Sequence, residues 1–119
     1  MAGKIVHFEL HAADTDRAAD FWNGLFGWDI GASAMDEFDY RMFQNADDQG
    51  GAVMPSETPG RGPVVYFDTD DIDASIAKVR ELGGSADDKQ PVPGHGWFAN
   101  WTDTEGTSFS LWQGGGSAA

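Results

Sequence analysis

Cysteine is absent from the 119 residues, which excludes a disulfide framework, a thiolate zinc site and a cysteine nucleophile and fits a reducing compartment. Basic residues are scarce too, seven against twenty acidic ones, for a formal net charge of −13. That balance repels phosphate backbones and anionic lipid, so neither nucleic acid nor a membrane is an expected partner. No run approaches the roughly 20 apolar residues that cross a bilayer, and the opening MAGKIVHFEL has neither a basic leader nor a long apolar stretch. A cytoplasmic location is the expectation. The acid lies mostly in turns, at Asp47-Asp48, Asp68, Asp70-Asp71 and Asp87-Asp88, and reads as a solvated surface.

What is present is one unit written twice. At an offset of 57, Asp14 falls on Asp71, Asp16 on Asp73, Trp22 on Val79, Leu25 on Leu82 and Gly27 on Gly84. The identities are few but the physical roles match. Each copy opens with a strand. Val6, Phe8 and Leu10 alternate with Ile5, His7, Glu9 and His11, and Val65 and Phe67 alternate with Val64, Tyr66 and Asp68. A helix follows each time. Asp14 or Thr15 caps the first, with Ala18, Phe21 or Trp22, and Leu25 as its apolar stripe; Asp70 or Asp71 caps the second, with Ile72, Ile76, Val79 and Leu82. Gly27 and Gly83-Gly84 end them.

Shorter strands complete each copy: 28–30, 40–44 and 51–54 in the first, then one near Ser85, 97–102 and 108–113 in the second. Module one is expected over 4–54 and module two over 64–113. Between them 55–63, PSETPGRGP, is too rich in proline and glycine for regular structure. The tail 114–119 is expected to fray. Two such units bury their sheets by standing side by side with helices outside, giving one α+β domain with two tandem βαβββ modules and a cupped mixed sheet. The inner faces would form a trough.

The segments VHFELHAADTDRAADFWNGLFGW and YFDTDDIDASIAKVRELGG, followed by PVPGHGWFANWTDTEGTSFSLWQ, resemble the vicinal-oxygen-chelate superfamily, which includes glyoxalases, bleomycin-resistance proteins and extradiol dioxygenases. The resemblance spans residues 4–113. It implies paired βαβββ modules, a homodimer and, in catalytic members, a divalent metal held by up to four side chains. Carried onto this chain, those positions are His7, Val64, Ser110 and Val53, or a neighbour of Val53 if the register slips. Only His7 is a ligand of the usual kind. Valine cannot coordinate, and a neutral serine hydroxyl is a poor substitute for a carboxylate.

Three readings follow. In the first, a metal-free trough binds a small, planar or partly apolar molecule, and its lining is His7, Glu9, His11, Arg41, Phe43, Tyr66, Phe98, Asn100, Ser110 and Trp112. The opposing possibility is that these aromatics are core and the trough is collapsed. The second reading is an enzyme of the superfamily's lyase, isomerase or dioxygenase kind, with His7, Glu9 and His11 holding a divalent metal in a non-standard set. The third is metal-free acid/base catalysis by His7 and Glu9. Same-face neighbours on a strand stand some 7 Å apart at a rise of about 3.3 Å per residue, which argues against a direct His7–Glu9 bond. No cofactor is expected in the first and third readings. Arg41 either meets a ligand carboxylate or pairs with Glu9. The letters GHGWFA at 94–99 match a dinucleotide fingerprint but precede a strand, so His95 is expected on an exposed lip.

Overall fold

The computed structural model describes residues 3–33, 35–60 and 62–115. Its elements run β1 (Ile5–Ala12), α1 (Thr15–Phe26), β2 (Arg41–Ala46), β3 (Gln49–Pro55), β4 (Val64–Asp68), α2 (Ile72–Glu81), β5 (Ser85–Ala86), β6 (Gln90–Val92), β7 (Gly96–Thr102) and β8 (Ser108–Gly114). The chain is therefore α+β, with a strand–helix–strands module repeated, and it divides into a unit of residues 7–64 and a unit made of the remainder. Of the tail expected to fray, Gly114 closes β8 and 116–119 lie outside the described residues.

In the 7–64 unit β3 pairs parallel with β1 and antiparallel with β2. The register sets Phe8, Gly51 and Phe43 abreast, then Glu9, Ala52 and Met42, then Leu10, Val53 and Arg41. Because side chains alternate, Phe8, Leu10, Val53 and Phe43 share one face, and there they join Ala12, Ala19, Ile30, Ala18, Trp22 and Trp28 in the core beneath α1. Asp14 caps α1 by accepting the Arg17 N–H, and Gly27 ends it at φ 71°. Of the expected stripe, Ala18 and Trp22 reach the core, whereas Phe21 and Leu25 are exposed. The Trp22 indole lies flat on Trp28 at 5.4 Å and closes the core there. The expected strand at 28–30 does not form. The Asn23 side chain takes the place of a neighbouring strand, accepting from Ile30 N and donating to Ile30 O.

In the other unit β8 lies between β4, parallel, and β7, antiparallel, while β7 also pairs with β5 and β6. The core is Ile72, Ile76, Ala99 and Leu111, flanked by Ala86, Trp97 and Trp101. Asp71, not Asp70, caps α2 by accepting from Ala74 N. The side chain of Gln113 accepts from Ile72 N and satisfies a second orphan donor of the first turn. Leu82, expected in the helical stripe, is exposed because the helix ends at Glu81 and Leu82 is already its C-cap. His95 is exposed in a turn, and no helix follows Gly96 to receive a phosphate.

Candidate functional site

Alternation along β1 puts His7, Glu9 and His11 on the face away from α1, and there they are joined by a residue the sequence reading used only as the start of a strand. The Tyr40 hydroxyl donates to Glu9 Oε2 at 2.7 Å, and His7 Nε2 stands 2.7 Å from the same hydroxyl. His11 Nε2 meets the other carboxylate oxygen, Oε1, at 3.3 Å. The gap that argued against a direct His7–Glu9 bond is thus filled by a phenol. The phenol has one proton and gives it to Glu9, so His7 Nε2 must donate to the Tyr40 oxygen; neutral His7 is assigned as the Nε2–H tautomer. His7, Tyr40, Glu9 and His11 form one continuous chain, with Glu9 only 7% exposed.

Tyr40 is held from behind by its own loop. The Ser33 hydroxyl accepts from Met35 N at 3.1 Å and Tyr40 N at 2.9 Å, and its proton is shared among the carbonyls of Met35, Phe38 and Tyr40. One hydroxyl thus draws the backbone of Met35, Phe38 and Tyr40 together. Neither Ser33 nor Tyr40 carries a motif. Tyr40 could have been noticed because the chain has only two tyrosines and the other was already assigned to the cleft.

Burial lowers the pKa of His7, and the Glu9 charge offsets this only in part, so the ring is neutral at pH 7. The sign of the consequence is fixed. With the folded pKa below about 6.5, the unfolded chain takes the proton first, and stability rises with pH through that window. The contribution is complete above about pH 6.5 and is lost as pH falls toward the folded value. In urea denaturation His7→Gln, which keeps a donor near Nε2, is expected to lose less stability than wild type between pH 7.5 and pH 5. Equal losses would show that His7 is not the group responsible.

Two expected cleft residues lie elsewhere. Phe43 packs in the core, edge-on to Phe8 at 5.6 Å and stacked on Trp28 at 4.9 Å. Arg41, two residues earlier on the same face, pairs with Asp16 at 2.8 Å and Asp39 at 2.9 Å instead of with Glu9. The Thr15 hydroxyl also donates to Asp39. The hydrogen bond from Arg41, and secondarily that from Thr15, holds the Asp39 carboxyl below its ordinary range. This cluster latches the start of α1 to the segment before β2.

In the other unit the register sets Tyr66, Ser110 and Asn100 abreast, and next to them Asp68, Trp112 and Phe98. Alternation turns these six away from the α2 face that holds Ala99 and Leu111. Ser110 is 0% exposed and donates to Asn100 Oδ1 at 2.6 Å.

These placements test the implied metal set. Val53 is 0% exposed on the helix side, so the residues facing away from α1 beside it are Ala52 and Met54. Val64 has no donor atom, and the Ser110 hydroxyl is engaged by Asn100. The His7 Nε2 is turned to Tyr40. Among the described residues no three His, Cys, Asp or Glu side chains are grouped to hold an ion. The chemistry of these donors does not fit the superfamily's metal. A cavity of about 410 Å³ beside α1 is lined by Ala12, Ala13, Asp14, Arg17, Ala18, Phe21, Trp22 and Pro59; Asp14 there caps the helix, and none of His7, Glu9, His11 or Tyr40 is in the lining. The hydrogen-bonded chain His7–Tyr40–Glu9 is the candidate site on the face away from α1.

The sequence profile of the glyoxalase-like domain matches residues 6–112. A glyoxylase-like domain-containing protein of Didymella fabae is 30% identical over 118 residues, covering 92% of each chain. The anthracycline biosynthesis protein DnrV of Streptomyces peucetius is 31% identical over 133 residues, which cover 91% of this chain and 46% of that protein. The present chain thus spans about half the length of DnrV. Among solved structures, methylmalonyl-CoA epimerase from Mycobacterium tuberculosis superposes with a TM-score of 0.70 at 15% identity, over 95% of this chain and 88% of that one. A variant of the Streptomyces coelicolor methylmalonyl-CoA epimerase in complex with 2-nitronate-propionyl-CoA gives 0.71 at 16% identity, over 100% and 99%. At those identities the likeness is one of fold, and no helix among the described residues is long and apolar enough to cross a membrane. With a profile match over nearly its whole length and a relative aligned end to end, the chain belongs to the glyoxalase-like domain family of the vicinal-oxygen-chelate superfamily.

Proposed function

We propose that this chain binds a small organic molecule, planar or partly apolar, and does so without the superfamily's metal. The observation that carries the reading is the hydrogen-bonded chain His7–Tyr40–Glu9–His11, a compact set of donors and acceptors of the kind that orients a ligand among apolar walls. Relatedness to a protein named for anthracycline biosynthesis supports an organic ligand of that kind. In this reading Tyr66, Phe98, Asn100, Ser110 and Trp112 belong to the ligand face of the second module, residues 1–119 act as one domain, and the protein works in the cytoplasm as a homodimer. Light scattering on the purified chain reads the last point.

The test is a thermal-shift screen on wild type and on Tyr40→Phe. A ligand at about 100 times its Kd adds about 2.7 kcal/mol of stability and raises Tm by several degrees. A ligand that raises the wild-type Tm but leaves that of the variant near its own baseline supports the reading. A broad screen in which nothing raises Tm overturns it.

A second reading, metal-free isomerase or epimerase chemistry, is favoured by the neutral His7. A proton taken up by its ring can be matched by transfer of the Nε2 proton to the Tyr40 oxygen and of the Tyr40 proton to Glu9, so the net transfer is from ligand to carboxylate. Deuterium appearing at a carbon of a bound ligand in D₂O, and lost in His7→Gln, would establish it; no exchange would retire it.

A further inference from the structure

We infer that the segment 35–40, with Met42, is the ligand-reading wall of this site, and that it takes a planar aromatic ligand carrying no negative charge. The inference rests on the small-molecule reading above and deepens it. Two large apolar side chains near the polar chain are exposed. Phe38 is 47% exposed and its ring stands edge-on to Tyr40 at 5.7 Å. Met42 is 60% exposed on the same face as Glu9, two strands away, with Ala52, itself 0% exposed, between them on β3. Clustered exposed apolar groups around a polar centre mark a binding surface more than a folding requirement.

The wall is also built in advance. The Ser33 hydroxyl ties the backbone of Met35, Phe38 and Tyr40 together, so Phe38 is presented on an ordered turn and little conformational freedom is lost on binding. An aromatic ring packs well against Phe38 by edge or offset stacking and against the polarizable Met42 sulfur. A hydroxyl or carbonyl on that ring would then lie toward Tyr40.

Charge decides the class. Asp36 and Glu37 are exposed on the loop and Glu9 is buried at the centre, within a chain of net charge −13. Arg41, the one basic residue of β2, is engaged by Asp16 and Asp39. An anionic substituent would meet like charge from the loop, whereas an uncharged one would not.

Two probes separate these terms: 2-naphthol, uncharged at pH 7, and naphthalene-2-sulfonate, the same ring system with a fixed negative charge. Calorimetry and saturation-transfer NMR on the full chain at low salt are expected to show naphthol binding about tenfold more tightly than the sulfonate. Phe38→Ala is expected to weaken naphthol about fivefold, in keeping with an aromatic contact, with Tm unchanged because the ring is exposed. Ser33→Ala should weaken it as well, with Ser33→Thr restoring it. No naphthol binding, equal binding of the sulfonate, or indifference to Phe38→Ala would each overturn the inference. A ligand from the thermal screen that depends on Tyr40 but ignores Phe38→Ala would overturn it and leave the binding reading standing. Naphthol binding that is lost in Phe38→Ala yet unchanged in Tyr40→Phe would keep the wall and overturn the role given to the polar centre.

Discussion

Tyr40→Phe is expected to cost the fold about 1–3 kcal/mol and to remove ligand binding, although it deletes a single oxygen. The ring that contacts Phe38 stays, so the packing change is small. What is lost is the donor to Glu9 Oε2 and the acceptor for His7 Nε2, and a buried group left without its partner bears its desolvation cost. Glu9 cannot turn to water, because it is buried and its other oxygen is tied to His11. Urea denaturation of Tyr40→Phe, His7→Gln and the double variant gives the coupling directly. A coupling of about 0.5–3 kcal/mol is expected for residues in one network. Additive losses would mean that the two side chains are neighbours and not a relay.

Gly51→Ala should have an effect of at least the same size for a purely steric reason. A Cβ on Gly51 would lie 2.2 Å from the Phe8 carbonyl oxygen and 3.2 Å from the Phe8 ring, and a carbonyl cannot move without shifting β1 as a whole. The expected loss is about 3 kcal/mol or more, at the upper end for overpacking. Since His7 and Glu9 flank Phe8, the same shift should disturb the polar chain and any ligand binding with it. Gly24→Ala is the control. It lies in α1 with nothing within 4 Å of the new Cβ, and replacing a helical glycine at an open position is expected to raise stability by up to about 1 kcal/mol. If both variants lower Tm equally, the close approach of β1 and β3 at Gly51 is not what limits the site.

Strand β1 was legible because three apolar residues alternate with polar ones, and that alternation alone put His7, Glu9 and His11 together. The caps were legible to within one residue, since Asp offers a side-chain acceptor at either candidate position and only the backbone dihedrals choose Asp71 over Asp70. Residues 28–30 read as a strand from their composition, yet Asn23 satisfies Ile30 first. A side-chain amide seven residues away leaves no periodic signal. Phe43 and Arg41 were assigned to the wrong face because the facing of β2 depends on its register against β3, set by the turn at 46–49 and an irregularity between Gln44 and Ala46. A one-residue change of register exchanges the faces of a strand.

The implied metal position was Val53 or a neighbour, and Val53 lies in the core beneath α1, which leaves Ala52 and Met54 on the other face. Asn100 and Ser110 lie on the face away from α2, because β7 and β8 pair without a break from Gly96 to Thr102. Tyr40 was missed because its role rests on contacts with a strand some thirty residues away in the chain, and Ser33 because its bonds to Met35, Phe38 and Tyr40 run within a loop. Loops have no period to read.

By itself, then, the sequence determined the class of the protein: an acidic, cysteine-free, duplicated α+β chain with His7, Glu9 and His11 on one strand face and valine at two of the positions that the family resemblance implies for a metal. Those properties follow from composition and from periodicity within single elements, which are local. The tertiary structure decided that Tyr40 joins His7 to Glu9, that Ser33 holds Tyr40 in place, and that Arg41 and Phe43 turn toward α1. Each of these depends on which strands pair, in what register, and how a loop returns to them, and such contacts between distant segments are chosen by packing and hydrogen-bond satisfaction across the whole unit.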